Sequence, residues 1–197
     1  MRKSKINISG FKIGTAENRD GLTGVTVILA PDGGATAGVD VRGCAPGTRE
    51  TDLLDPRKTV QKIHAVVLSG GSAFGLEAAS GCVKYLAEQG VGFPIGNVCV
   101  PIVCSAVLFD LMIGDEKAYP DLLMGYEAAK SASSEFLSGC NGAGTGATVG
   151  KLLGFENAMK SGAGYEKVFQ KFEVRKYDST HELSWSNALT YCHDLLE

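Results

Sequence analysis

GCNGAGTGATVGK, residues 139–151, is the stretch from which the rest of this chain is read. It holds five glycines, two threonines and one lysine, and almost every side chain between Asn141 and Lys151 is small. Main chain this bare comes close to something, either a ligand cradled by N–H groups or another strand. A phosphate loop needs glycine five positions before its Gly-Lys pair and a hydroxyl directly after it. Here Thr145 stands at the first of those positions and Leu152 at the last. A dinucleotide fingerprint fails as well, because Val149 follows Gly144 and Gly146 where a third glycine belongs.

Working outward, 197 residues suffice for one sizeable core or two small ones. The 26 glycines are roughly twice the usual share, and only two of them fall after residue 160. A net charge of −3 gives no electrostatic reason to expect nucleic acid or an anionic membrane as a partner. The basic N-terminus lacks an apolar secretory core, and no window is apolar enough to span a membrane. The expected location is cytoplasmic. Six cysteines (Cys44, Cys82, Cys99, Cys104, Cys140, Cys192) then read as thiols rather than disulfides. With no CxxC pair and three histidines, no metal site and no cofactor are expected.

Strand and helix patterns alternate, an α/β arrangement. Residues 23–30 (TGVTVILA) read as a strand ended by a Pro31–Gly34 turn, with 35–41 returning as the second arm of a hairpin. Residues 64–68 (HAVVL) read as a buried strand running through Ser69-Gly70-Gly71-Ser72 into a helix over 73–89, closed by Gly90. Residues 101–111 (PIVCSAVLFDL) are a buried strand or an inner helix. Residues 121–134 read as a helix with Leu122, Tyr126 and Ala129 on one side. In the tail, 171–177 alternate like a strand, and Trp185, Leu189, Cys192 and Leu196 make one face of a final helix. That tail carries six of the fifteen aromatics, a shift that divides the chain into regions 1–163 and 164–197.

The turn at residues 69–75 follows a strand and opens a helix, so its N–H groups form an anion site or simply a tight turn. It is not a nucleophile elbow, because Phe74 stands where glycine is required. Ser72 reads there as an N-cap. Arg49, Glu50 and Asp52 read as a structural ion-pair cluster.

Four segments in order, residues 23–56, 64–81, 100–111 and 142–151, resemble the DmpA-type family of L-aminopeptidase/D-esterases, β-peptidyl aminopeptidases and nylon-oligomer hydrolases. The resemblance covers about residues 5–163. It implies a layered α-β-β-α sandwich, incomplete here at the C-terminus, and a self-processing hydrolase. The new N-terminal Ser or Thr attacks small peptides, amides or esters, with its own amine as base. It also implies a homo-oligomer of processed units. Lys151 resembles the family lysine beside the nucleophile, whose positive field would favour the developing alkoxide. Tyr126, Ser72 and Asn141 are the candidate substrate-binding residues.

Departures accompany the matches. Cys140 and Asn141 stand where the family reads Asn-Val, and Cys104 stands where it has proline. Beyond Ala163 neither the family's apolar strand with its oxyanion asparagine nor a strand opening on Ser or Thr is recognisable. Ser179-Thr180 is followed by HELSWSN, which is no apolar core strand. Three hypotheses follow, in order: an incompletely encoded α-chain-like member (truncated, frameshifted or one half of a split gene) that is inactive alone or active only with a separate β-chain; a non-catalytic binding or structural protein on the same fold; an enzyme with rearranged catalytic residues.

Overall fold

The computed structural model describes residues 2–41 and 45–148, with the backbone of 182–184. The predicted tail strand and helix, Ser179-Thr180 and Lys151 lie outside the described residues. The chain runs β1 (Arg2–Lys5), β2 (Lys12–Asn18), β3 (Thr23–Leu29), β4 (Thr36–Gly38), β5 (Thr48–Arg49), β6 (Ala65–Ser69), α1 (Ala78–Glu88), β7 (Phe93–Ile95), β8 (Val98–Val100), β9 (Val103–Val107), α2 (Leu122–Lys130), β10 (Glu135–Ser138) and β11 (Glu182–Ser184). No helix among the described residues is long and apolar enough to cross a membrane.

The central sheet has the order β2-β3-β6-β9-β5. β2, β3 and β6 run antiparallel in turn, and β6 is parallel to β9 across the α1 crossover. β3 is buried along its whole length, as its run of β-branched and apolar residues requires. The predicted hairpin between 23–30 and 35–41 does not form. β3 is already flanked by β2 and β6, so β4 has no free edge to join. The turn itself is present, with Gly34 N–H donating to Pro31 O and both Gly33 and Gly34 at positive φ. It delivers Ala35 to a bridge with Ile63 instead.

Residue alternation divides the sheet into two faces. Val25, Val27, Leu29, Ala65, Val67 and Val103 pack beneath α1 and α2, with Ala78, Ala79, Cys82, Leu86, Ala128 and Ala129. The opposite face holds a smaller buried cluster of Phe11, Ile28, Ala35, Ile63, Val66 and Cys104. Segment 101–111 is a strand, since Val103 serves one face and Cys104 the other.

The helices approach so closely that only glycine and alanine fit between them. A Cβ on Gly81 would stand 1.9 Å from Leu122 O, and one on Gly125 would stand 1.9 Å from Ala78 O. The buried face of α2 is therefore Gly125, Ala128 and Ala129, while Leu122 is exposed. That differs from the face expected from Leu122 and Tyr126. The Asp121 carboxylate accepts from Met124 N–H at 2.8 Å and caps α2.

Candidate active site

Antiparallel pairing puts the ends of β2, β6 and β9 and the start of β3 at one end of the sheet. In open α/β sheets ligands collect outside the carboxyl ends of parallel strands. The loops that leave β6 and β9 meet here, and the glycine run joins them from the second face.

That run is a close-approach segment against strands. Gly142 N–H donates to Glu17 Oε2 at 3.1 Å, and Ala143 N–H to Thr26 Oγ1 at 3.1 Å. Asn141 is buried, accepting from the Arg19 guanidinium at 3.1 Å and donating to Thr15 Oγ1 at 3.3 Å. Arg19 also pairs with Glu17. A Cβ on Gly24 would lie 2.3 Å from Gly142 O, and one on Gly146 would lie 1.7 Å from Leu22 O. Gly142 and Gly146 have φ of +55° and +78°, which glycine adopts without steric penalty. The N–H groups of Gly142 and Ala143, which a phosphate would need, are spent on protein acceptors. The Thr145 and Thr148 hydroxyls are buried in the same run and find no hydrogen-bond partner among the described residues.

The second half of the site centres on Asp110, buried just beyond β9. Its Oδ2 accepts from Thr23 Oγ1 at 2.8 Å and its Oδ1 from Gly71 N–H at 2.5 Å. A Cβ on Gly70 would fall 2.0 Å from Asp110 Oδ2 and 2.3 Å from Thr23 Oγ1. The carboxylate thus ties the start of β3 to the turn leaving β6. The turn enters the helical layer in an unusual way, since Gly71 and Ser72 have φ of +79° and +52°. A 3-10 segment, Ser72–Glu77, therefore precedes α1 where a continuous helix over 73–89 was expected.

Ser72 is half-buried at this turn, its N–H donating to Leu108 O at 2.9 Å. Gly71, not Ser72, occupies the cap position, and no side chain caps the segment. Tyr126 lies on the outer side of the helix pair, donating to Glu88 Oε2 at 2.7 Å and meeting Tyr85 edge-on. The bond to Glu88 raises its phenol above the ordinary value. Asn141 and Ser72 thus lie at the shared sheet end, and Tyr126 is turned towards Glu88. Arg49, expected in an ion-pair cluster with Glu50 and Asp52, donates to Ser80 Oγ at 2.7 Å and fastens β5 to α1.

His64 marks the other end of β6, where its buried ring Nδ1 accepts from Ile102 N–H at 3.1 Å. Burial lowers its pKa, and a neutral acceptor nitrogen is what that bond requires. Among the described residues no group of three or more His, Cys, Asp or Glu is placed to hold a metal. Cys82 and Cys104 are buried thiols whose pKa values burial pushes up to about 12, while Cys140 is exposed. The sequence reading missed Asp110, Thr23, Thr26, Glu17 and Arg19. A single carboxylate closing the apolar run 101–111 was the available signal for Asp110.

Residues 6–155 match the profile of Peptidase family S58. An uncharacterized aminopeptidase of Mycobacterium tuberculosis is 47% identical over 131 residues, covering 66% of this chain and 38% of that protein. A 6-aminohexanoate-oligomer endohydrolase of Agromyces sp. is 36% identical over 149 residues, covering 75% of this chain and 39% of that protein. The chain thus spans about two fifths of the length of these curated relatives. Its fold is similar to that of an L-aminopeptidase D-Ala-esterase/amidase from Ochrobactrum anthropi, described as a variant of the Ntn hydrolase fold. The TM-score is 0.54 at 16% identity, over 71% of this chain and 42% of that one.

Proposed function

Because this chain belongs to Peptidase family S58, we propose that its 197 residues form the scaffold of an amide- and ester-bond hydrolase acting on small peptides, amino-acid amides or esters with a free amino end. The attacking hydroxyl is supplied by a Ser or Thr on a segment not among these residues, a separate β-chain. These residues alone do not turn over substrate. The observation that carries this reading is the sheet end itself. There Asp110 and Asn141 position two loops, while the Thr145 and Thr148 hydroxyls are buried without partners among the described residues. Buried hydroxyls are ordinarily satisfied, and an added strand on the second face would satisfy them.

In this account the incoming N-terminal hydroxyl attacks the substrate carbonyl, and its own amine takes the proton. Lys151 supplies positive charge beside the developing alkoxide. Asn141 and its Arg19 and Thr15 partners hold the glycine run in place, and Ser72 lines the substrate side. The assembled units work as a homo-oligomer in the cytoplasm.

The test is hydrolysis of amino-acid p-nitroanilides by the purified chain, alone and with the portion of the Agromyces endohydrolase that follows the matched region. Size-exclusion chromatography reports whether the two associate. No turnover by the chain alone, and turnover by the complex that is lost in Lys151→Ala, are expected. Turnover by the chain alone, or an assembled complex without turnover, would overturn the proposal.

A further inference from the structure

Beside the Gly71 turn at the same sheet end, Phe74 and Tyr119 stack with ring centroids 4.6 Å apart and planes 18° from parallel. Large apolar side chains are ordinarily buried, yet these are 57% and 39% exposed. One face of Phe74 is held by Tyr119, so its exposure lies on the opposite face and the edge. Both rings stand on fixed supports. Phe74 sits in the 3-10 segment whose approach is bolted by the Asp110–Gly71 hydrogen bond. Tyr119 precedes fully buried Pro120 and the capped start of α2, and a Cβ on Gly71 would come within 2.6 Å of Tyr119 Cβ.

The platform is continuous with the glycine run. Ala118 packs against Gly21, where an added Cβ would lie 2.3 Å from the Ala118 Cβ, and the next residue, Leu22, carries the carbonyl over which Gly146 passes. A rigid, half-open aromatic surface costs little to organise on binding, and it takes apolar groups.

We propose that Phe74 and Tyr119 are specificity-determining residues forming a subsite for an apolar, preferably aromatic, side chain on the substrate residue next to the cleaved bond. The inference rests on the hydrolase reading of this sheet end. It does not follow from that reading, because a site that accepts any small amide needs no such platform.

Binding of L-phenylalaninamide and L-alaninamide to the full chain, followed by NMR titration, tests it. The wild-type chain is expected to favour phenylalaninamide by roughly tenfold, the scale of a side chain entering an apolar pocket. Phe74→Ala erases that preference, and Phe74→Tyr retains it. Equal binding of both amides by the wild type, or a preference that survives Phe74→Ala, overturns the subsite and leaves the hydrolase reading standing. Failure of the wild-type chain to bind either amide overturns the subsite, while the hydrolase reading stands or falls on turnover by the complex. A Phe74→Ala chain with an altered elution volume and an intact preference identifies the pair as a protein-docking face, which also overturns the subsite.

Discussion

Replacing Thr26 with valine removes one acceptor and leaves the shape of the site nearly unchanged. Thr26 lies on β3, 8% exposed, and its hydroxyl accepts from Ala143 N–H at 3.1 Å; Ala143 is fully buried. Valine is also β-branched and of similar volume, so neither strand propensity nor packing changes much. What changes is the Ala143 N–H, which is left buried without an acceptor. An orphaned buried donor costs about 1–3 kcal/mol. With a urea m-value of about 2 kcal/mol/M for a chain of this size, Thr26→Val should lower the unfolding midpoint by about 1 M. Hydrogen exchange adds position to magnitude, since the amides of residues 142–145 should exchange faster while those of β6 keep their protection relative to global stability. An unchanged midpoint together with unchanged exchange at 142–145 would refute the claim that the glycine run is held on the sheet by protein acceptors.

Other outcomes follow from the same structure. Gly81→Ala and Gly125→Ala each place a methyl group against a carbonyl of the facing helix and should destabilise by about 1–3 kcal/mol despite alanine's better helix propensity, read as a lower Tm. His64 has a folded pKa below its unfolded value of about 6.5, so the unfolded chain takes up the proton first as pH falls. Its contribution is therefore fully present above pH 6.5 and is lost as pH drops towards the folded pKa. Urea midpoints at pH 7.5 and 5.5 should differ, and His64→Asn should shrink the difference. Iodoacetamide on the native chain should modify exposed Cys140 well before Cys82 or Cys104, whose thiolates are scarce at neutral pH, as peptide mass mapping would show.

The elements legible in the sequence were those whose residues answer to one dominant force. β3 and β6 announce themselves as apolar β-branched runs, and Gly90 at positive φ ends its helix through a local hydrogen bond to Ala87 O. β2 was not legible. Its residues Gly14 and Ala16 face the helices, and a Cβ on Gly14 would stand 1.9 Å from Ala128 O, so a close backbone approach replaces the bulky apolar residues that mark a strand. The same close packing hid the buried face of α2, where Gly125 and Ala128 count for more than Leu122. For the site, the sequence revealed that residues 139–148 approach something closely but not what they approach. That depended on Glu17 and Thr26, more than a hundred residues earlier, which only the β2–β3 register places on the same face at the same sheet end. Asp110 was illegible for the same reason, since its partners Thr23 and Gly71 converge only when β3, β6 and β9 share an end.

The central claim is that these residues provide the scaffold and that another segment provides the nucleophile. Intact-mass analysis after treating the chain and its complemented assembly with a hydroxyl-directed sulfonyl fluoride tests that claim most directly. One label per copy of the supplied segment is expected, on its N-terminal Ser or Thr, and none on the 197-residue chain. A stoichiometric label on this chain, whether at Ser72, Thr145, Thr148 or Ser179, would contradict it.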